Sequence, residues 1–273
     1  MRIKHRFVFK SGNIEVTEFL SKHQIKYHFE ADNAFAVFEL FEDEEDYNDI
    51  IRFIESHCIF SNPPEVIYSQ KEIDEAQWLS IRSTWRNCYP QPQKEMGYRV
   101  TTYDATDYCD KCGNGLVQKN NFMLQKEPSW GARNFLMINW IHDELFISQK
   151  AESVLADSNL TGFDIYDVYN KSGIVLDGVR QIYVKNYFDD GLMPDSIDRE
   201  LHCEKCNNRI MRKPILYYDK ETFKNVYCDI IKSKEKFGEI TCSNIIFITQ
   251  KFRQVITTNK LDRGLVFEPV QLI

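Results

Sequence analysis

Two short stretches, Cys109-Asp110-Lys111-Cys112 and Cys203-Glu204-Lys205-Cys206, restrict how this chain can fold more than any other feature of its 273 residues. Cys-x-x-Cys spacing lets one tight backbone knuckle aim two sulfurs at the same point. Two knuckles complete a tetrahedral shell of four thiolates, the arrangement that structural zinc prefers. The segments that carry them are therefore expected to fold toward each other.

The second half of the chain also repeats itself. Phe146-Ile147-Ser148-Gln149-Lys150 matches Phe247-Ile248-Thr249-Gln250-Lys251 at an offset of 101 residues. At that offset Ala151, Val154 and Leu155 fall on Phe252, Val255 and Ile256, an apolar helix face in both copies. Ser148 and Thr249 are the matching candidate N-caps. Leu160 and Leu261 mark the helix ends, with Gly162 and Gly264 expected as C-caps at positive φ. A strand then closes each copy, FDIYDV in one and LVFEPV in the other. The knuckles are offset by 94 residues, a difference that loops absorb. Residues 96–273 thus read as a double-CxxC zinc-binding domain of two zinc-ribbon-like/strand-helix-strand repeats, about 100–170 and 195–273. Cys112-Gly113 suits a knuckle ending, because glycine accepts positive φ; Asn207 takes that place in the second copy.

The first 70 residues read as an α+β unit. Arg6 to Lys10 alternates as a strand does, and Asn13 caps a helix over NIEVTEFLSKH. Ile25 to Glu30 and Ala34 to Glu42 form two strands around a turn at Ala31-Asp32-Asn33. A helix from Glu44 to His57 buries Tyr47, Ile50, Ile51 and Ile54. Val66 to Ser69 adds a strand. That β-α-β-β-α-β order predicts a ferredoxin-like domain over 1–70. Residues 71–95 are expected to be a helix, KEIDEAQWLSIRSTW, and a linker at Tyr89-Pro90-Gln91-Pro92-Gln93, since proline cannot continue the helix.

Composition narrows the function classes. A net charge of −7 argues against nonspecific binding to nucleic acid, where phosphate neutralisation supplies most of the affinity. The opening MRIKHRFVFKSGNIEV lacks the apolar core of a signal peptide, and no run approaches the roughly 20 apolar residues of a membrane helix. A cytoplasmic protein without membrane association is expected. In a reducing cytosol its eight cysteines serve as metal ligands or buried thiols rather than disulfides.

The ligand set expected is Cys109, Cys112, Cys203 and Cys206 around one structural Zn2+; four sulfurs leave no open position for a catalytic water. A thioredoxin-like redox pair, a set of merely buried thiols, or His202 as a substitute ligand are the alternatives. Cys58, Cys88, Cys228 and Cys242 lack ligand spacing and are expected to be buried or half-buried thiols. His142-Asp143-Glu144 offers acid–base groups, but such a triplet is more often a polar turn before a strand, and that is the reading expected here. The acidic run Glu42 to Asp46 suits a helix N-terminus. Residues 204–236 lean basic, through Arg209, Arg212, Lys213, Lys224, Lys232, Lys234 and Lys236, which a nucleic-acid contact or pairing with the acidic first repeat would explain. Trp78, Trp85, Trp130 and Trp140 are expected in the core. No phosphate loop, nucleophile elbow or dinucleotide fingerprint is present, and no catalytic residue is assigned.

The doubled knuckle, together with Asp143-Glu144-Leu145-Phe146-Ile147-Ser148 and Leu160-Thr161-Gly162-Phe163, resembles the bacterial double-CXXCG motif proteins over roughly residues 100–273. Cys109, Cys112 and Gly113 match the first motif; Cys203 and Cys206 match the second, where Asn207 departs from its glycine. Some members of that family are named immunity proteins of toxin systems. The resemblance implies a non-enzymatic, zinc-stabilised protein that binds another protein, such as a toxin. A zinc-ribbon nucleic-acid binder is the alternative, and an enzyme with an unrecognised site is a third.

Overall fold

The computed structural model describes residues 1–57, 59–62, 64–188, 191–196, 199–206, 209–212, 215–238 and 242–273, with no side-chain detail at 195, 199–202 and 209–212. Cys58, Asn207 and Lys213 lie outside the described residues, as do the side chains of His202, Arg209 and Arg212. The fold is mixed α and β, and the chain divides into two compact units, Met1–Glu72 and Ile73–Ile273.

The first unit runs β1 (Arg2–Lys10), α1 (Ile14–Lys22), β2 (Tyr27–Glu30), β3 (Phe35–Phe41), α2 (Tyr47–Ser56), β4 (Phe60–Ser61) and β5 (Glu65–Ile67). Its sheet order is β2-β3-β1-β4, with β5 also on β1, and every pairing is antiparallel. Asn13 caps α1 by accepting from the Val16 amide, and Ala31, Asp32 and Asn33 all take positive φ in the β2–β3 turn. Val16 and Leu20 of α1, Ile50 and Ile54 of α2, and Phe7, Phe9, Phe38 and Leu40 of the sheet share one core. The acidic run leads into α2, with Asp46 at its N-cap position, and is also ion-paired: Glu42 with His5, Asp43 with Arg2 and Asp46 with His23.

The helix expected across residues 71–85 is a correction. Only α3 (Gln70–Glu75) is helical, opened by Ser69 and Glu72 in reciprocal capping bonds, and β6 (Trp78–Ser83) follows. Trp78-Leu79-Ser80-Ile81 sends successive side chains to opposite faces, Leu79 and Ile81 into one apolar cluster and Trp78 into another. Two-sided burial overrides the helical reading of the pattern. The proline segment is packed as well, since Gln91 is buried and its amide donates to the Met123 carbonyl at 2.9 Å.

The second unit continues with α4 (Tyr98–Thr102), β7 (Tyr103–Asp104), β8 (Val117–Gln118), β9 (Met123–Leu124), β10 (Phe135–Leu136), β11 (Leu145–Ile147), α5 (Gln149–Ala156), β12 (Phe163–Asn170) and β13 (Val175–Val184). After β14 (Arg199–His202), β15 (Arg209–Arg212), β16 (Tyr217–Tyr218) and α6 (Lys220–Lys224) come β17 (Ile230–Lys232), β18 (Ile246–Thr249), α7 (Gln250–Thr258), β19 (Leu265–Pro269) and β20 (Gln271–Leu272). Two larger sheets result, β10-β11-β13-β12-β9 and β17-β18-β6-β19.

Their pairing recurs at the sequence offset. Phe146 faces Gln181 and Ile147 faces Arg180 in one sheet; Phe247 faces Ser80 and Ile248 faces Leu79 in the other. Each partner pair is related by 101 residues, so β6 is the counterpart of β13. The Met137 amide donates to Trp85 and the Lys232 amide to Asn186, extending the match past the strand ends. Each copy therefore lends its leading strand to the sheet of the other. The central core draws on both copies alike, with Leu145, Ile147, Ala151 and Leu155 beside Ile246, Ile248, Phe252 and Ile256. Ser148 and Thr249 cap α5 and α7 by accepting from the Ala151 and Phe252 amides, both at 3.3 Å. Gly162 and Gly264 are not the helix caps; Asp157 and Asn259 are. Gly162, at φ +103°, lets the chain enter β12 against the Ile230 carbonyl, where a Cβ would come within 2.3 Å of the oxygen.

Candidate metal centre

Each knuckle is carried by a two-stranded antiparallel hairpin. The first spans the loop between β7 and β8, and the second lies between β14 and β15. In the first knuckle the Gly113 amide donates to the Cys109 carbonyl and the Cys109 amide to the Asn114 carbonyl, both at 2.8 Å. Gly113 takes φ +76° as the turn closes. Gly115 is required sterically, because a Cβ there would lie 1.9 Å from the Asp107 carbonyl oxygen.

These turns bring Cys109, Cys112, Cys203 and Cys206 together, their sulfurs all within 4.8 Å of one another. Cys109 Sγ lies 3.6 Å from Cys203 Sγ, and Cys112 Sγ lies 3.5 Å from Cys206 Sγ. A tetrahedral ion with metal–sulfur bonds of about 2.3 Å sets sulfurs about 3.8 Å apart. The donor set therefore fits a single metal ion, and the separations are far beyond a disulfide's. Equivalent positions of the two copies face each other, so the site lies on the line that relates them. Reciprocal ion pairs repeat that relation: Lys111 reaches Glu204, and Lys205 reaches Asp110 at 2.8 Å. The lysines hold both carboxyls below their usual range.

Backbone amides of Cys206 and Lys205 pull the Cys203 thiol down to about 6, whereas burial pushes Cys112 up. A thiolate is the metal-binding form, and amides aimed at sulfur stabilise it. Cys242 packs against the four clustered cysteines and its amide donates to the Cys112 carbonyl at 3.2 Å. Sequence spacing could not find it, because it enters from a loop remote from either knuckle. Cys88 and Cys228 are half-buried thiols elsewhere.

The His142-Asp143-Glu144 triplet precedes β11 but is not a solvated turn. Glu144 is 5% exposed and ion-pairs with Lys232, itself 2% exposed, while Asp143 accepts from the Asn244 amide. Burial pushes the Glu144 carboxyl up; Lys232 is raised despite its own burial, because Glu144 holds its proton. Within the basic stretch, Lys205 and Lys224 also bind carboxylates. Trp78 is buried, and Trp85, Trp130 and Trp140 are partly buried against a second cluster. No helix among the described residues is long and apolar enough to cross a membrane. No protein family model matches the chain, and no curated protein matches it.

Proposed function

We propose that Cys109, Cys112, Cys203 and Cys206 hold one structural zinc ion, and that the chain is a non-enzymatic, zinc-stabilised protein acting by binding another protein. The observation that carries the reading is the complete four-sulfur shell at the junction of the two copies. Four thiolates favour zinc and leave no position for a reacting water. The hairpins beneath the knuckles support a zinc-ribbon-like, duplicated module, and the antiparallel order β2-β3-β1-β4 supports a ferredoxin-like first unit.

The resemblance to double-CXXCG proteins makes a toxin the first partner to test, with the protein acting as an immunity factor in the cytoplasm. Affinity purification of the tagged chain from its native host tests this. A stoichiometric co-purifying protein that is toxic when expressed alone supports the reading. Purification of the chain without a protein partner contradicts it. The pairing of Lys205, Lys224 and Lys232 with carboxylates weighs against the nucleic-acid alternative.

A further inference from the structure

A cavity of about 280 Å³ opens beside the cysteine cluster, bounded by Tyr108 and Gly113 of the first knuckle and by Cys242. Glu144 and Lys232 both line it. Gln181 donates to Glu144 at 3.0 Å and exchanges amide bonds with Gln118 at 2.9 and 2.8 Å. This polar group breaks the relation between the copies. Residue 144 corresponds to Ile245 at the offset of 101, and Lys232 corresponds to Met137 through the matched bridges Tyr187–Lys232 and Arg86–Met137. Hydrocarbon fills the counterpart positions, and a buried ion pair seldom stabilises a fold more than hydrocarbon does. Packing therefore does not account for the pair.

Two further polar groups face the same space without partners. The Tyr103 hydroxyl has no hydrogen-bond partner among the described residues, although the side chain is 7% exposed and lines the cavity. His142 also lines it, and its Nδ1 is buried and unpartnered. A buried polar atom without a partner, as His142 Nδ1 is, is uncommon in folded proteins and calls for an explanation, which a bound group in this cavity would supply. The walls are aromatic: Trp140 stacks on Tyr98 at 5.9 Å, and the Arg99 guanidinium lies over Tyr108 at 5.0 Å. Arg99 has no carboxylate partner among the described residues and lines the cavity with Lys234 and Lys236. Cationic side chains outnumber carboxylates there, against a chain net charge of −7.

We propose that this cavity binds a small aromatic anion, with its ring against the aromatic wall of Tyr98, Tyr108 and Trp140, its carboxylate or phosphate on Arg99, and its polar edge met by Tyr103 and His142. The volume, near the lower end for ligand pockets, suits one or two rings. A planar guanidinium offers the paired donors that carboxylate and phosphate take.

The test is calorimetric titration of the full chain with 4-hydroxybenzoate and with adenosine 5′-monophosphate, phenol and inorganic phosphate serving as half-ligands. Saturable binding of an aromatic anion, exceeding that of either half-ligand, is expected; which probe binds distinguishes a carboxylate source from a nucleotide. Arg99→Met and Tyr103→Phe should each weaken it about ten-fold or more. The double variant Glu144→Ile with Lys232→Met, built from the counterpart residues, should melt no lower than the parent and lose binding. Absence of binding by both probes overturns the proposal, as does a double variant that melts well below the parent or Arg99→Met binding like the parent. Zinc content is measured separately, so failure here leaves the metal reading standing and the reverse also holds.

Discussion

Truncating one member of the Glu144–Lys232 pair strands the other charge away from water. Glu144→Ala is expected to cost about 3–5 kcal/mol in urea unfolding, whereas the paired exchange to isoleucine and methionine should be neutral or stabilising by up to about 4 kcal/mol. Equal losses in both would contradict the account. Gly115→Ala should lower the melting temperature and loosen metal retention, because its Cβ meets the Asp107 carbonyl and φ is +92°. Proton competition sets the sign of the pH effect at the metal: each ligand binds as thiolate, so zinc retention against a chelator should fall from about pH 8 to about pH 6. At this scale the convergence of the four cysteines was legible because spacing alone specifies a knuckle. Lys232 was not, since a lysine inside a basic run looks solvated until Met137 is seen at its counterpart position. Cys242 carried no local signal at all.

The N-caps of α5 and α7 give the elements a matched test. Ser148→Ala and Thr249→Ala should each cost about 0.5–2 kcal/mol, read by thermal or urea unfolding. A sharper test concerns β6, which lies between β18 and β19. A chain beginning at residue 96 keeps both knuckles and both helices but loses that central strand. It should not fold cooperatively, whereas a chain beginning at residue 73 should; circular dichroism melts of the two decide. The strand was misread because the charged turn at Lys71, Glu72, Asp74 and Glu75 starts a real helix that was carried too far, and only pairing with strands more than 150 residues away in sequence selects the extended form. The FI(S/T)QK matches, by contrast, marked β11, β18 and both caps directly. Gly162 and Gly264 were seen as special positions but given the wrong role, because a glycine beyond a helix and a glycine opening a strand look alike in sequence.

At the scale of the molecule, the proposed metal would tie together two copies that already share a core and exchange their leading strands. Removing a ligand should therefore weaken the whole of Ile73–Ile273 rather than one knuckle. Cys109→Ser or Cys203→Ser should lower the unfolding transition of that unit, while the transition of Met1–Glu72 stays in place. For zinc-finger peptides the metal supplies an apparent roughly 10–16 kcal/mol near neutral pH, so the effect should be large. The most direct measurement is metal content by elemental analysis combined with X-ray absorption at the zinc edge on the purified chain. The account predicts one zinc per chain bound by four sulfurs at about 2.3 Å. Substoichiometric metal with freely titratable thiols, or a shell containing nitrogen or oxygen, would contradict it.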